Sequence, residues 1–308
     1  MNKGKIKRGP RKNKQRSEDP LKFFYNNING YNSRNQSLKK IISEETPDVV
    51  ALCETKRQLA VRQKKDEIPG YEVIERNLKQ GKEGLMVAVK VGTFRSIEEV
   101  TQSELRNILT VRIGYPKDVV RVVLLHAPQE SDPLEERMDF FEEVAIQVER
   151  CITAGDKLVV LGDFNARVIM DENEVRPASP NGKLLHDLLQ DNDLKVSNFS
   201  PNTKGEWTRI QRTKSGINKS TIDYVLLQDE GSVLSEMLID EDKIYCPYSE
   251  RRTKNGKSII FSDHCAIILT LQIKTGGLEN HTTTQKVWNF SQEGYEAYKK
   301  ASNQPMVA

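Results

Sequence analysis

Six short apolar segments of the sequence each end at, or border on, an acid, an amide or a histidine. One carboxylate after a strand is readily explained as a turn former or a helix cap. Six such ends are not, because a packed fold gathers polar groups at its strand ends only where ligand binding or catalysis compensates for them. The pattern therefore predicts that several strands converge on one polar site. Its members are Asn27, Asn29, Glu54, His126, Asp163, Asn165, Asp223, Asp263 and His264.

Segments of strand length outnumber helical ones. Apolar residues at helical spacing predict helices over residues 35–45, 132–153 and 183–190. Many strands with a few long helices between them indicate two packed sheets with helices outside, rather than a single parallel sheet. The predicted strands span residues 21–28, 49–53, 71–75, 84–90, 108–113, 119–126, 157–161, 207–211, 222–227, 233–239 and 266–273.

Charge is distributed unevenly along the chain. Eight of the 47 Lys and Arg residues lie in the first 16 positions, which leaves 39 basic against 44 acidic side chains in the rest. The body is therefore mildly acidic, and residues 1–19 are predicted to form a basic disordered tail. Such a tract is either a solvated arm or a segment for nuclear import or nucleic-acid contact, and the sequence alone leaves both interpretations open.

Several protein classes are disfavoured by what the sequence lacks. Its apolar runs fall well short of the ~20 residues of a membrane span, and the run at 119–127 is interrupted by Arg121. The four cysteines form no Cys-x-x-Cys pair, which argues against a zinc site or a disulfide framework and indicates an intracellular protein. No Gly-rich phosphate loop and no Gly-x-Ser-x-Gly elbow occurs, which disfavours nucleotide kinases and serine hydrolases.

The polar residues at the predicted strand ends suit a hard metal ion. Glu54, Asn27, Asn29 and Asp263 offer oxygen donors, which favour Mg²⁺ over Zn²⁺. Acids can hold such a metal and orient a water molecule, while amides and an imidazolium neutralise phosphoryl oxygens. The residue types therefore indicate in-line attack of water on a phosphate ester.

Five motifs along the chain occur in the order found in a known enzyme family. They are Tyr-Asn-Asn-Ile-Asn-Gly at 25–30, Pro-Asp-Val-Val-Ala-Leu-Cys-Glu-Thr-Lys at 47–56, Gly-Asp-Phe-Asn-Ala at 162–166, Ile-Asp-Tyr at 222–224 and Ser-Asp-His-Cys at 262–265. Together they resemble the endonuclease/exonuclease/phosphatase superfamily over residues 21–273. Within it, the Leu-His-Ala-Pro-Gln segment at 125–129 is similar to the apurinic-endonuclease-like domain of non-LTR retrotransposon polyproteins.

The resemblance implies an α+β fold, a four-layer α/β/β/α sandwich of two mostly antiparallel sheets with helices outside. It divides the chain into the basic tail 1–19, an endonuclease/exonuclease/phosphatase domain over residues 20–274 and a polar linker over residues 275–308. It also implies a reverse transcriptase region in the full-length polyprotein, because Trp-Asn-Phe at 288–290 resembles the join between the two regions. No Tyr-x-Asp-Asp polymerase segment occurs in this sequence.

The resemblance also implies a role for each catalytic candidate. Asp163 would hold or activate the attacking water and would be oriented by Asn165. His264 would contact the scissile phosphate, with Asp223 fixing its tautomer and sustaining its positive charge. His126 stands where the family usually has tyrosine, and it would donate a hydrogen bond to phosphate or serve as a buried structural histidine.

A metal set and a DNA-contacting set follow from the same resemblance. Glu54 would be the principal ligand of Mg²⁺, with Asn27 beside it and Asp263 as a partner acid, and Mn²⁺ would be a substitute. Asn29 replaces an acid found on the metal side of many repair enzymes, a departure that suits the retroelement branch. Asn29 and Thr208 are predicted contacts with phosphate or DNA. Arg212, Arg251 and Arg252 are added because they lie in two basic loops, at 204–219 and 251–257, that lead toward Asp223 and His264.

The leading hypothesis from the resemblance is a nuclear, Mg²⁺-dependent DNA endonuclease. It would nick one strand of target DNA and leave a 3′-hydroxyl that primes reverse transcription in retrotransposition. A cellular apurinic/apyrimidinic repair endonuclease is the alternative, and a lipid phosphodiesterase is disfavoured because no Pro-x-Trp-x-Asp-Arg segment surrounds Asp223. A catalytically silent binding module of the same fold is disfavoured because the acids and His264 are all present. DNA is the expected partner, and no membrane is.

Overall fold

The structure is a computed structural model that describes most of the chain between residues 20 and 273. The described ranges are 20–57, 68–77, 83–115, 118–172, 174–213, 216–228, 232–242, 250–252, 258–260 and 263–273. The predicted tail at 1–19 and linker at 275–308 lie outside the described residues.

Three α-helices and nineteen strands are present in the described ranges. The helices are α1 (Tyr31–Glu45), α2 (Leu134–Thr153) and α3 (Pro180–Asp191). The strands are β1 (Leu21–Asn27), β2 (Val49–Cys53), β3 (Tyr71–Arg76), β4 (Leu85–Lys90), β5 (Ser96–Glu99), β6 (Ile108–Gly114), β7 (Val119–His126), β8 (Lys157–Asp163), β9 (Val168–Asp171), β10 (Glu174–Pro177), β11 (Leu194–Val196), β12 (Thr203–Lys204), β13 (Arg209–Thr213), β14 (Gly216–Ser220), β15 (Asp223–Gln228), β16 (Ser232–Ile239), β17 (Glu250–Arg252), β18 (Ser258–Ile260) and β19 (Ile267–Ile273).

The three predicted helices are present, with starts that local contacts explain. α1 begins earlier than its apolar spacing predicts, because Tyr31 and Arg34 are also buried and extend its inner face. α3 begins at Pro180 because the Ser179 hydroxyl oxygen accepts the Gly182 N–H at 3.1 Å and caps the first turn.

Two large sheets form the centre of the molecule, and both are mostly antiparallel, as predicted. The seven-stranded sheet has the order β12-β16-β19-β1-β2-β4-β3, and its parallel pairs are β1 with β2 and β12 with β16. The six-stranded sheet has the order β11-β15-β8-β7-β6-β5, and its parallel pair is β7 with β8. α1 connects β1 to β2 and α2 connects β7 to β8, so each sheet contains one βαβ unit.

Alternation along the strands produces four layers, which confirms the predicted α/β/β/α sandwich. Phe23 and Tyr25 of β1 belong to the core cluster between the two sheets, together with residues of β7, β8 and β15. Phe24 of β1 points to the opposite face, where it packs with residues of α1. The outer face of the six-stranded sheet packs against α2 and α3 through residues such as Val160 and Tyr224.

Two predicted strand assignments need correction. The strand predicted at 207–211 is not part of either large sheet; β13 begins at Arg209 and forms a separate hairpin with β14. Ile222 precedes β15, which begins at Asp223. The short strands β5, β9 to β12, β14, β17 and β18 were not predicted, because they are too short or too polar for a clear two-residue period.

Among the described helices, none has both the length and the apolar character that a membrane crossing requires.

Candidate active site

The carboxyl ends of the parallel pairs β1–β2 and β7–β8 bring polar residues from both sheets to one edge of the sandwich. Asn27 ends β1 beside Cys53 of β2, and Glu54 follows directly. His126 ends β7 beside Asp163, the last residue of β8. Parallel neighbours end on the same side, so the two βαβ units place these residues together. The predicted convergence of these strand ends is confirmed by the structure.

Asn27 bridges the two sheets. Its side-chain Nδ2 donates to Glu54 Oε1 at 3.0 Å and to Asp163 Oδ2 at 3.0 Å. His126 Nε2 lies 3.6 Å from the same Glu54 oxygen and 3.8 Å from the same Asp163 oxygen. Two carboxylates and one imidazole therefore surround one point.

His264 and Asp223 form a buried pair beside this group. His264 Nδ1 lies 2.8 Å from Asp223 Oδ2, and Nε2 lies 3.7 Å from Asp163 Oδ2. Asp223 is held opposite Asp163 by the antiparallel pairing of β15 with β8. The imidazole thus lies between the two acids, with Nε2 on the Asp163 side.

The electrostatic environment favours a charged His264. Burial alone would lower the pKa of its imidazole, but Asp223, the hydrogen bond to it, Asp163 and Asp263 raise the pKa of His264 to about 9. The ring is therefore an imidazolium at neutral pH, with Nδ1–H donating to Asp223. Burial and the charge of Asp223 raise the pKa of Asp163, although both histidines and the Asn165 N–H oppose that shift.

Glu54 is held as a carboxylate. Burial would raise its pKa, but hydrogen bonds from Lys56 and Asn27 and the nearby His126 lower the pKa of Glu54 below its ordinary value. Lys56 Nζ lies 2.8 Å from Glu54 Oε2 and also donates to Asn29 Oδ1. Glu54 has a left-handed backbone conformation with φ of 50°, which is uncommon for this residue type.

Gly162 is required by the close approach of β8 to β7. A Cβ atom at this position would lie 2.1 Å from the carbonyl oxygen of Leu125, which is far inside van der Waals contact. The next residue, Asp163, is thereby held against the end of β7, where His126 lies. This close approach gives a physical reason for glycine at the start of the Gly-Asp-Phe-Asn motif.

Asn165 orients Asp163 through its backbone rather than through its amide. Its N–H donates to Asp163 Oδ1 at 3.0 Å, and its side-chain Nδ2 donates to the Ala127 carbonyl oxygen at 2.8 Å. A left-handed conformation with φ of 44° makes this arrangement possible. The orienting role implied by the resemblance thus has a direct structural basis, although contact with a water molecule stays a prediction.

Thr208 is placed differently from the expectation. The resemblance implied a contact with phosphate, whereas the side chain is fully buried. Its hydroxyl oxygen accepts the backbone N–H groups of Ile222 and Asp223, each at 3.0 Å. The structure therefore gives Thr208 the role of holding the start of β15 in position.

Asp263 is held by Arg209, and its role as a metal ligand stays a prediction. Its Oδ2 accepts from Arg209 Nε at 2.6 Å, and its Oδ1 lies 3.8 Å from His264 Nε2. Within the described residues, the side chains close enough to share a metal are Glu54 with His126 and Asp163, and Asp163 with Asp223 and His264. Asp263 belongs to neither group, and its carboxylate is paired with Arg209.

Two further site residues were not predicted as such. The Tyr25 hydroxyl donates to Asp223 Oδ1 at 2.6 Å, and Lys56 contacts Glu54 and Asn29 as described above. Tyr25 occupies an inward position of an apolar strand, which predicts only a core role. Both residues lie inside the quoted motifs, and that is the one sequence signal that could have identified them.

The remaining predicted DNA contacts lie at the edge of what the structure describes. Arg212 pairs with Ile217 in the β13–β14 hairpin, and Arg251 and Arg252 belong to β17, which pairs with β18. The side chains of these three arginines lie outside the described part of the chain. Their contacts with DNA stay predictions.

The group formed by Glu54, Asp163 and His126 fits a divalent cation. One atom from each side chain lies within 4.8 Å of the others. The lowered pKa of Glu54 keeps a negative charge at this point, and two carboxylates in close proximity repel each other unless a cation lies between them. The two carboxylates suit a hard cation, whereas the imidazole nitrogen suits a transition metal, so the group fits a divalent cation without specifying which one.

Comparisons with known proteins agree with this geometry. A model of the Endonuclease/Exonuclease/phosphatase family matches residues 27–264. No curated protein sequence matches the chain.

Several solved structures share the architecture. One is AP endonuclease LMAP from Leishmania major, with a TM-score of 0.62, 14% identity, and coverage of 82% of this chain and 88% of that chain. A second is the endonuclease domain of TRAS1, a telomere-specific non-LTR retrotransposon, with a TM-score of 0.56, 14% identity, and coverage of 84% and 100%. A third is the 3′ phosphatase NExo from Neisseria bound to a product DNA hairpin, with a TM-score of 0.60, 17% identity, and coverage of 81% and 98%. At these identities the likeness is one of fold.

Proposed function

The chain belongs to the endonuclease/exonuclease/phosphatase family, and from this premise we propose that it is a divalent-metal-dependent DNA endonuclease that nicks one strand. The observation that carries the proposal is the position of Asp163. One of its carboxylate oxygens lies within 3.8 Å of Asn27 Nδ2, His126 Nε2 and His264 Nε2. Asp163 therefore belongs to two groups. With Glu54 and His126 it can hold a metal, and with Asp223 and His264 it can face a phosphate.

His264 is suited to contact the phosphate. Its Nδ1–H is occupied by Asp223, so Nε2–H is the proton that faces the Asp163 side of the site. An imidazolium there would neutralise charge that develops on the phosphoryl oxygens, and a buried position strengthens that effect. Asp223 fixes the ring and stabilises its positive charge.

Asp163 is suited to orient the attacking water. Its Oδ1 accepts from Asn165 N–H, which holds the carboxylate in one rotamer. Its raised pKa makes it a better proton acceptor than an ordinary aspartate, provided that the pH lies above that pKa. Asp163 would accept a proton from water while His264 contacts the phosphate.

Glu54 and His126 would hold the metal together with Asp163. When bound, Mg²⁺ or Mn²⁺ would supply a positive charge that polarises the phosphate ester. Asn27 keeps the two carboxylates oriented toward each other across the two sheets. Asp263 stays a proposed further ligand, which would have to give up its hydrogen bond with Arg209.

DNA as the substrate is supported by charge and by fold. Arg209 lies on β13, and its side chain reaches Asp263 next to His264. Lys219, on the paired strand β14, forms an ion pair with Glu241. Basic side chains beside a phosphate-hydrolysing site favour a polyanionic substrate. The NExo structure with the same fold contains a product DNA hairpin.

A finer proposal concerns the biological reaction. We infer that the nick leaves a 3′-hydroxyl that primes reverse transcription of a non-LTR retrotransposon in the nucleus. The motif at 125–129 and the similarity of fold to the TRAS1 endonuclease domain support this proposal. A reverse transcriptase region in the same polyprotein is part of the proposal.

A plasmid-nicking assay tests the function. Purified protein should convert supercoiled DNA to the open circular form with Mg²⁺ or Mn²⁺, and EDTA should stop the reaction. Equal relaxation with and without EDTA, or none under either condition, would refute the metal-dependent nuclease.

The nicked product distinguishes the finer alternatives. A DNA polymerase added without further treatment should extend the nick, which shows a 3′-hydroxyl. Cleavage restricted to plasmid that carries abasic sites would instead favour a repair endonuclease.

A further inference from the structure

Tyr25 is placed between the two sheets at the point where the site begins. It lies in β1, paired with Ala51 of β2 and Ile267 of β19, and its side chain is fully buried in the core between the sheets. Its hydroxyl crosses to the other sheet and donates to Asp223 Oδ1 at 2.6 Å. A buried tyrosine hydroxyl needs a partner, and here that partner is a residue of the proposed catalytic machinery.

The two oxygens of the Asp223 carboxylate are thus occupied from opposite sides. Oδ1 accepts from Tyr25, and Oδ2 faces Nδ1 of His264 at 2.8 Å. Tyr25 and Asp223 are both fully buried, so water does not compete for their hydrogen bond. A carboxylate fixed at both oxygens cannot rotate about its terminal torsion, which is otherwise broad and soft.

The backbone of Asp223 is held independently of Tyr25. Its N–H donates to Thr208 Oγ1 at 3.0 Å, and its carbonyl oxygen accepts from Asn198 Nδ2 at 3.0 Å. Removal of the Tyr25 hydroxyl would therefore release the carboxylate without displacing β15. Tyr25 also contacts the buried Cys53 thiol, but within the site its hydroxyl acts on the orientation of the carboxylate and of the imidazole that the carboxylate holds.

We propose that Tyr25 is a positioning residue that orients the Asp223 carboxylate, and through it the His264 imidazole, for contact with the scissile phosphate. This inference rests on the proposed function. It adds Tyr25, from the opposite sheet, to the hydrogen-bonded residues Asp223 and His264. Tyr25 does not touch the substrate in this arrangement. It keeps the Asp223 carboxylate in one orientation. That orientation matters most in the transition state, where the position of the His264 imidazole has to be correct.

Tyr25→Phe removes the hydroxyl and keeps the aromatic ring in the core. Tyr224→Phe is the matched control, because Tyr224 is also fully buried but its hydroxyl donates to the Thr221 carbonyl oxygen at 2.8 Å. Both variants lack one buried hydroxyl, and Tyr224→Phe also removes the acceptor of the Val168 N–H at 3.2 Å, so it should lower the free energy of unfolding at least as much as Tyr25→Phe. Only the first removes a hydrogen bond to a proposed catalytic carboxylate.

Two measurements on the full chain decide the proposal. In plasmid nicking at saturating Mg²⁺, Tyr25→Phe should lower kcat about 10- to 100-fold, which corresponds to the loss of one hydrogen bond to a charged group. KM should stay within about twofold of wild type, because the ground-state contacts with DNA are intact. Tyr224→Phe should keep kcat within about twofold of wild type. By NMR, the Nδ1 proton of His264 should shift or broaden in Tyr25→Phe and not in Tyr224→Phe.

The outcomes separate this inference from the proposed function. An active wild type with an unchanged kcat in Tyr25→Phe, or with equal reductions in both variants, would overturn the positioning role and leave the nuclease intact. A wild type that does not nick DNA would refute the proposed function. In that case the NMR comparison decides the role of Tyr25, and an unchanged Nδ1 proton signal would overturn it.

Discussion

Asp163 combines a functional position with an unfavourable environment. It is buried, and its raised pKa shows that the folded protein disfavours its negative charge. A group whose charged form is disfavoured in the folded state lowers stability at any pH above its folded pKa. The residue most central to the proposed chemistry therefore reduces the stability of the fold.

Asp163→Asn should separate activity from stability. Without the negative charge, nicking should fall ~10³-fold or more, because proton acceptance and a charged ligand disappear together. In EDTA the free energy of unfolding should stay equal or rise by about 1 kcal/mol. Denaturant unfolding and plasmid nicking measure the two effects.

Asp156→Asn serves as the control for that variant. Asp156 is also buried but pairs with Arg121 at the other end of β8. Its replacement should lower stability and preserve nicking. An active Asp163→Asn enzyme would contradict the assigned role.

His264 should make stability depend on pH. Its pKa is about 9 in the folded protein against an ordinary value of 6.5. Because the folded state binds this proton more tightly, the stabilisation is fully present below pH 6.5 and is lost as the pH rises through about 9. His264→Gln should therefore be less stable than wild type by up to about 3 kcal/mol near pH 6.5, with a difference that shrinks toward alkaline pH.

Urea unfolding in EDTA from about pH 6 to about pH 10 measures this difference. A difference in the free energy of unfolding that does not change with pH would show that the ion pair with Asp223 does not contribute to stability. A gap that widens at alkaline pH would contradict the raised pKa of His264.

Glu54 should control the metal requirement. Glu54→Gln keeps an oxygen that can accept from Asn27 or Lys56 but removes the charge that the metal needs. Nicking should fall at low Mg²⁺ and recover in part at excess Mg²⁺ or with Mn²⁺. Glu98→Gln, an exposed change on β5, is the control and should leave the metal titration unaltered. An unchanged titration in Glu54→Gln would place the ion elsewhere.

At the scale of elements, the β17–β18 pair precedes β19 and the His264 region in the chain. β17 contributes Arg251 and Arg252, and neutralising both to Gln should weaken DNA binding evenly across sequences, because phosphate contacts carry no sequence information. The slope of log K against log salt should become shallower by up to ~0.9 for each phosphate that the protein no longer neutralises. Lys39→Gln with Lys40→Gln, on the outer helix α1, is the control. An unaltered slope in the arginine variant would exclude β17 from the DNA interface.

The β13–β14 hairpin should select the position of the nick. It is an independent two-stranded element, and Ile217 on it is 61% exposed, an apolar side chain available to enter a groove. Shortening residues 212–219 should redistribute nicking sites along a plasmid while the total rate changes less, because groove contacts carry sequence information. Mapping of nick positions by primer extension tests this. Unchanged nick positions would show that residues of the active site, and not the hairpin, select where the DNA is cut.

Which features a sequence predicts depends on how locally they are encoded. The helices and the longer strands of the two large sheets were predicted because their apolar periods are local, whereas the short strands β5, β11 and β12 of the same sheets were not. The convergence of Glu54, His126, Asp163 and His264 was predicted because strand ends carry polar residues in several places at once. The Arg209–Asp263 pair and the buried state of Thr208 were not, because each depends on contacts between residues far apart in the chain. No local pattern encodes such contacts.

At the scale of the whole molecule, the site depends on both sheets at once. Glu54 and Asn27 come from the seven-stranded sheet, and Asp163 and His126 from the six-stranded sheet. Asn27 and Tyr25 connect them through hydrogen bonds across the core. The seven-stranded sheet alone would supply only Glu54 of the metal group, and the six-stranded sheet alone only His126 and Asp163. The Asp223–His264 pair likewise needs both sheets. Docking of the two sheets is therefore a condition for catalysis.

The position of β19 has a consequence for the timing of activity during synthesis. β19, the last strand in the described part of the chain, inserts between β16 and β1, so β1 waits for a partner encoded about 240 residues later. A nascent chain on the ribosome has neither this central strand nor His264 until translation has passed Ile273. Co-translational folding can form the βαβ units early, but the proposed nuclease activity has to wait until β19 has left the exit tunnel.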